Sequence, residues 1–189
     1  MLKEFYDKSV SEFENFFNLK EDYDKPRIFL IEDRNTADKL RFRKTGKIVG
    51  WTERNDVFIF DKNSNEVKDI SNEDYSKLVK HELCHCYFQI YSNYCKKPYW
   101  LWEGLAIYLS GQNKNKVKEF KDFLNYYDLS DIGVYKESGH AVEFLVKYYG
   151  KQKMLSLIKS LKYISSNEQL FKTFKEIYGF ELKYENFKT

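Results

Sequence analysis

The segment His81-Glu82-Leu83-Cys84-His85 has the pattern H-E-x-x-H and lies within a stretch whose apolar residues recur at helical spacing. Side chains four positions apart share one face of an α-helix, so His81 and His85 can bind one ion together. Glu82 lies about 100° further round the helix, where a carboxylate can reach a water molecule held by that ion. The segment therefore predicts a helix that carries a zinc site and its general base.

The residues around this segment also predict a helix. Ser71 followed by Asp74 is typical of a helix start, and Glu73 and Asp74 suit the positive first turn. Apolar residues then recur every three or four positions and form a packing stripe: Tyr75, Val79, Leu83, Cys86, Tyr87, Ile90 and Tyr94. The alternative is that the two histidines and the glutamate form a solvated helix face without a ligand.

Glu103 is the candidate for a third metal ligand. A tetrahedral zinc ion held by two histidines needs one more protein ligand if the fourth position is to hold water. Glu103 lies in a second helical pattern, residues 100–109, which follows Pro98 and ends near Gly111. Its tryptophan and leucine neighbours would make a buried carboxylate costly, and a metal ion would remove that cost. The alternative is a solvent-facing glutamate near the helix N-terminus.

The pattern HELCH, 17 further residues, and then a glutamate within W-E-G-L-A-x-Y resembles the gluzincin metallopeptidases, specifically the compact peptidase MA-like and minigluzincin members. The resemblance runs from about Pro26 to the C-terminus and includes a Tyr-x-x-Ser segment at residues 135–138. It implies that the two histidines and Glu103 bind Zn²⁺ and that Glu82 is the catalytic base. It also implies that Tyr135 faces the reacting carbonyl oxygen.

Tyr135 and His140 are the candidates for a donor to the oxyanion that forms during hydrolysis. A tyrosine hydroxyl or an imidazole N–H can fill this role, and losing such a donor typically costs about 3 kcal/mol of barrier. The family pattern favours Tyr135, and the alternative for His140 is a packed or surface histidine. One departure concerns Ile107, which stands where thermolysin-like relatives carry an aspartate that orients a zinc histidine. A second is that the Gly-x-Met-x-Asn strand of the aminopeptidase branch does not occur.

The length and composition predict a single α+β domain. With 189 residues, of which 42% are hydrophobic, the chain can bury one core divided into two lobes around a cleft. We expect an N-terminal helix in residues 1–24 and a thermolysin-like lobe in residues 25–96, with a small mixed sheet and the HELCH helix. Residues 97–189 are expected to form a helical lobe that carries the glutamate ligand.

Alternating and helical patterns place the smaller elements. Strands are predicted at residues 27–31, 51–52 and 57–60, and a short helix at about 35–43. One of the two later strands would offer its edge to an extended peptide, as the resemblance implies, and the alternative is an ordinary hairpin paired on both sides. The opening helix is expected to run to about Lys20 and either to cover the core or to act as a lid over the cleft. The C-terminal half reads as helices throughout, including residues 117–127.

The charge and the cysteine content indicate which classes of partner and which cellular compartment to expect. The net charge of +3 comes from 32 basic and 29 acidic residues that are interspersed, which gives no basic stripe for nucleic acid. The three cysteines, Cys84, Cys86 and Cys95, are an odd number, which favours a reducing compartment over a disulfide framework. No window has 18 apolar residues and no signal peptide is recognisable, so a cytoplasmic protein without a membrane span is expected. The alternative metal site would join Cys84 or Cys86 to the histidines.

These patterns predict a zinc-dependent peptidase that acts on a peptide or protein substrate. The leading alternative is a catalytically silent or latent gluzincin-like fold that serves as a binding or regulatory module. A helical protein without any metal is the third alternative.

Overall fold

The structure is a computed structural model that describes residues 2–20, 22–113, 117–128 and 133–188. Its helices are α1 (Leu2–Phe17), α2 (Arg34–Leu40), α3 (Asn72–Ser92), α4 (Tyr99–Ser110), α5 (Val134–Tyr149), α6 (Lys151–Ser160) and α7 (Asn167–Tyr178). Its strands are β1 (Arg27–Ile31), β2 (Gly50–Glu53) and β3 (Asp56–Phe60). The chain divides into two compact units, residues 1–87 and 88–189, with the boundary inside α3. The predicted class, α+β with a small mixed sheet, is confirmed.

The sheet has β3 at its centre. β1 pairs with β3 in parallel and β2 pairs with β3 antiparallel, which gives the order β1-β3-β2. Val57 and Ile59 are fully buried, whereas Phe58 points to the opposite face because side chains alternate along a strand. On that face Phe58 stacks between Phe29 and Trp51, with ring centroids 5.1 Å and 5.0 Å away. In the described chain β2 pairs on one side only and is therefore an edge strand.

Helix α1 belongs to the core of the first unit. Its Phe13 and Phe17 are buried and pack on Tyr87 of α3, at centroid distances of 5.1 Å and 6.1 Å. The Tyr23 hydroxyl, beyond the helix, lies 3.1 Å from the Tyr87 hydroxyl and donates to Glu14. Burying these rings is worth about 1.5–3 kcal/mol per side chain. These contacts are those of a core helix, the first of the two roles considered for this segment.

Helices α4 and α5 approach closely in the second unit because glycines lie at their contact. A Cβ on Gly104 of α4 would lie 2.5 Å from the Ser138 carbonyl oxygen of α5. A Cβ on Gly139 of α5 would lie 2.4 Å from the Ile107 side chain of α4. Any side chain at either glycine would push the helices apart, so these two positions fix how α4 lies on α5.

Two predicted elements differ from the structure. Residues 117–127 are not an α-helix, since they contain only a short 3-10 turn at Phe123–Asn125. The carboxylate of Glu137 accepts three consecutive backbone N–H groups there, from residues 121, 122 and 123, at 3.0, 2.8 and 3.1 Å. These tertiary bonds outweigh the helical pattern of the apolar residues. Helix α2 ends at Leu40 rather than near Arg43, because Phe42 has a φ of 53° and Thr45 is bound by Asp38.

Among the described residues, none of the helices combines the length and apolar character that crossing a bilayer requires. No disulfide joins the three cysteines, as their odd number and spacing predicted.

Candidate metal centre

Helix α3 begins as the sequence predicts and is fixed to the sheet of the first unit. The Ser71 hydroxyl accepts a hydrogen bond of 3.0 Å from the Asp74 backbone N–H, which caps the first turn. The predicted stripe residues Val79 and Leu83 are fully buried. The buried Tyr75 hydroxyl donates to the Phe60 carbonyl at the end of β3, at 2.8 Å. The helix is therefore held along its apolar side.

The two histidines of α3 are buried and face each other. His81 is 6% exposed and His85 is 3% exposed. Their Nε2 atoms lie 3.1 Å apart, and the rings are nearly perpendicular, at 89°. Two zinc–nitrogen bonds of 2.0–2.1 Å meeting at the tetrahedral angle would place the nitrogen atoms about 3.3 Å apart. The pair is thus spaced to bind one ion through both Nε2 atoms.

Glu103 completes a cluster of three possible ligands. It lies in α4 and is only 4% exposed. One ligand atom each from His81, His85 and Glu103 lie within 4.8 Å of one another, close enough to bind a metal ion. Within the described ranges this is the single group of three or more His, Cys, Asp or Glu side chains that meets this criterion. Two imidazoles and a carboxylate are a donor set that divalent transition metals accept.

The cysteines are not part of this cluster. Cys84 and Cys86 are both fully buried in α3. Burial raises the pKa of the Cys86 thiol well above its usual range, and the nearby charge of Glu82 adds to this effect. A thiol must lose its proton to bind a metal, so this environment disfavours Cys86 as a ligand.

Glu82 is held by β2, an arrangement that the sequence pattern did not reveal. The Thr52 hydroxyl lies 3.0 Å from the Glu82 backbone carbonyl and 3.0 Å from Glu82 Oε2. A Cβ on Gly50 would lie 3.2 Å from Glu82 Cγ, so Gly50 leaves room for this side chain. Glu82 is half-buried, and the Thr52 hydroxyl orients one of its two carboxylate oxygens. The sequence predicted a strand at residues 51–52, but it gave no signal that Thr52 of this strand reaches Glu82.

A positive charge lies near the Glu82 carboxylate. The Arg41 guanidinium carbon lies 5.3 Å from the centre of the Trp51 ring. Burial is the main cause that lowers the pKa of Arg41, followed by repulsion from Arg43, while Glu53 and Glu82 act in the opposite direction. Arg41 is therefore close enough for its charge to interact with that of Glu82.

Within the second unit, α5 supports the helix that carries Glu103. The residue after Glu103 is Gly104, which lies against the Ser138 backbone. Ile107, at the position where the resemblance to gluzincins leads one to expect an aspartate, is buried and lies against Gly139. Here the side chain four residues after Glu103 serves helix packing rather than a polar contact to a ligand.

The two candidate oxyanion donors lie on α5 in different surroundings. Tyr135 is in the first turn and about half exposed, one helical turn before Ser138. His140 Nδ1 lies 3.7 Å from Glu143 Oε2. His140 also lines a cavity of about 1030 Å³ between α5 and residues 117–121 and 184–188. The ligand cluster contains His81, His85 and Glu103 and neither of these two residues. His140 is a partly buried histidine beside an acid.

Comparisons of the chain with known protein families, with curated proteins and with solved structures give no match. The resemblance to gluzincins therefore depends on the motif residues alone and stays a prediction. The proximity of the three buried ligand groups is a separate, geometric observation. It is the stronger basis for a functional assignment, since it does not depend on a relative.

Proposed function

We propose that the protein is a zinc-dependent peptidase of the gluzincin type. The observation that carries the proposal is the convergence of the buried His81, His85 and Glu103 side chains, whose ligand atoms lie within 4.8 Å of one another. A buried carboxylate beside two buried imidazoles is costly unless a cation compensates it. The H-E-x-x-H spacing adds a base at Glu82, which a purely structural metal site does not need.

The donor set favours zinc and a catalytic role over a structural one. Structural zinc sites usually take four protein ligands, whereas catalytic sites take three and keep one position for water. Zinc bound there would supply Lewis acidity, which makes its water acidic enough to react near neutral pH and polarises the scissile carbonyl. His81, His85 and Glu103 would hold it, and the disfavoured thiol of Cys86 would stay outside.

Glu82 would act as the general base. Its carboxylate would accept the proton of the attacking water and transfer it to the amine of the leaving peptide. The Thr52 hydroxyl orients the carboxylate through its hydrogen bond to Oε2, and the positive charge of Arg41 interacts with the same carboxylate. Tyr135 would donate its hydroxyl to the oxyanion, and its half-exposed position leaves that hydroxyl accessible.

The substrate would be an extended peptide added to the edge of β2. β3 is paired on both sides, so of the two later strands only β2 has free backbone groups for strand addition. Gly50 and Thr52 of β2 already lie beside Glu82, which would bring a peptide on this edge close to the base. The proposal includes a thermolysin-like arrangement of the sheet and α3, with a helical lobe after it. It also includes the cytoplasm as the compartment, which the three cysteines outside disulfides support.

The test is hydrolysis of a broad fluorogenic peptide library by the zinc-loaded protein and by Glu82→Gln. Loss of the base should lower kcat by about 10²–10⁴-fold with zinc content unchanged. Glu73→Gln, at an exposed position in the first turn of α3, is the matched control and should keep full activity.

Full hydrolysis by Glu82→Gln would refute the assignment of the base. A wild-type protein that holds one zinc ion but cleaves no library member would favour the catalytically silent binding module. A protein that takes up no zinc would favour a helical fold without metal.

A further inference from the structure

Residues 40–48 run from the last residue of α2 towards β2, and we refer to them as the basic loop because of their positive charges. This loop also exposes large apolar side chains. Phe42 is 96% exposed, Leu40 is 47% exposed and Ile48 is 38% exposed. Phe42 is the most exposed of the large apolar side chains that the structure describes. A lone exposed apolar residue is ordinary, but three within nine residues indicate a contact surface.

Positive charge surrounds these apolar side chains. The loop contains Arg41, Arg43, Lys44 and Lys47 and no acidic residue. Arg41 turns back towards the protein, over Trp51 and near Glu53 and Glu82. The other three are exposed. The nearby acid Asp38 lies 3.2 Å from the Lys44 ammonium group but is mostly covered, at 14% exposure of its side chain.

The basic loop is a built structure that presents Phe42 outward. The Asp38 carboxylate accepts hydrogen bonds of 2.7 Å from both the backbone N–H and the hydroxyl of Thr45. The backbone N–H of Arg43 donates to the Asp38 carbonyl at 3.1 Å. Between these ties Phe42 adopts a φ of 53°, a left-handed conformation that costs free energy for a residue with a side chain. Burial of the ring does not compensate this conformational cost, because the ring is exposed. We therefore expect the ring to make a contact outside the described fold.

We propose that the basic loop docks on the surface of a lipid bilayer that contains anionic lipids. Phe42, Leu40 and Ile48 enter the interface between headgroups and acyl chains, and Arg43, Lys44 and Lys47 bind the anionic headgroups. Exposed apolar side chains flanked by exposed basic ones match an anionic bilayer, which offers acyl chains beside negative headgroups. The proposal is independent of peptidase activity, because each residue that it uses lies outside the candidate metal centre.

The docking also has a structural consequence for the first unit. The basic loop continues through Val49 into β2, whose Gly50 and Thr52 lie beside Glu82. A loop bound to headgroups therefore holds β2 close to the membrane surface.

Vesicle cosedimentation tests the proposal with the full-length protein in 0.1 M salt. Vesicles of phosphatidylcholine with about one third phosphatidylserine should bind the protein, and vesicles of phosphatidylcholine alone should bind it far more weakly. Phe42→Ser should weaken binding about 30-fold through the lost burial of the ring. The triple variant Arg43→Gln, Lys44→Gln, Lys47→Gln should weaken it about 100-fold or more. Phe42→Trp should keep the affinity and shift the tryptophan emission to the blue on binding.

The matched controls replace one exposed aromatic residue and three exposed basic residues of the second unit. Tyr163→Ser removes a ring that is 75% exposed, and Lys159→Gln with Lys162→Gln and Lys172→Gln removes three exposed charges. Both should bind anionic vesicles like the wild type. Circular dichroism should show the same helical content for all variants, because the replaced side chains are exposed.

Three results of the vesicle experiments would overturn the proposal. They are an absence of binding to anionic vesicles, full binding by Phe42→Ser with loss only in the charge variant, and equal loss in the control charge variant. The last two would mean unspecific attraction of a basic protein to a charged surface. Binding to single-stranded RNA or an acidic peptide through the same residues, without vesicle binding, would assign the loop to another partner and would also overturn it.

Discussion

Replacement of Thr52 by valine should impair catalysis while leaving the metal site intact. The hydroxyl has one proton and two acceptors at equal distance, the Glu82 carbonyl and Glu82 Oε2, both at 3.0 Å. A hydrogen bond to a charged group is worth about 1.5–3 kcal/mol, and sharing between two acceptors places this bond at the low end. We therefore expect kcat to fall about 10-fold, since about 1.4 kcal/mol in the barrier corresponds to that factor. KM and zinc content should not change, because the substitution removes only a side-chain hydroxyl and leaves the metal ligands and the backbone groups of β2 in place.

Steady-state kinetics on the best peptide from the library measure this effect, with zinc content determined on the same samples. Thr52→Ser keeps the hydroxyl and is the matched control, so it should recover most of the activity. An unchanged kcat in Thr52→Val would show that Glu82 needs no support from β2. Equal losses in Thr52→Val, which keeps the methyl group, and Thr52→Ser, which keeps the hydroxyl, would show that the hydrogen bond alone does not explain the loss.

Three further predictions concern the stability of each unit taken by itself. Gly104→Ala should destabilise the fold by about 1–3 kcal/mol in denaturant titration, because its Cβ would lie 2.5 Å from the Ser138 carbonyl oxygen; unchanged stability would mean that α4 and α5 separate freely. Glu137→Gln should cost about 1–3 kcal/mol, because its carboxylate oxygen accepts three backbone N–H groups, and a neutral effect would rule out the proposed cause of the non-helical segment. Burial raises the pKa of Tyr75 to about 12, so its contribution to stability is complete below about pH 10 and is lost as the pH rises towards 12. Tyr75→Phe should make the loss of stability above pH 10 less steep in urea titrations, and identical slopes would refute this reading.

The sequence was most informative where one segment determines its own geometry. The spacing of His81 and His85 requires only a helix, and Ser71 with the apolar stripe predicted that helix. Strands β1 and β3 were likewise visible as short alternating runs. The proximity of Glu103 was a correct prediction of a different kind, because it used the ligand count of zinc rather than a local pattern.

Long-range contacts account for what the sequence could not show. Residues 117–127 have a helical spacing of apolar residues, yet Glu137 binds three of their backbone N–H groups from a later helix. No local rule connects Glu137 to that segment. Thr52 was assigned to a strand but not to Glu82, 30 residues away, because strand register relative to a helix is not encoded in either element alone. The exposure of Phe42 was hidden for the same reason, since an apolar residue in a sequence is normally expected to be buried.

The central claim is that His81, His85 and Glu103 together hold one divalent ion. The most direct measurement is the zinc-to-protein ratio and the zinc affinity after dialysis against buffered zinc, for the wild type, His85→Ala, Glu103→Ala and Cys86→Ser. We predict one zinc ion per chain for the wild type and Cys86→Ser, and affinity weakened by at least about 100-fold in the two ligand variants, since even supporting residues around metal sites contribute about 10–100-fold. Full zinc affinity in Glu103→Ala, or loss of zinc in Cys86→Ser, would contradict the account.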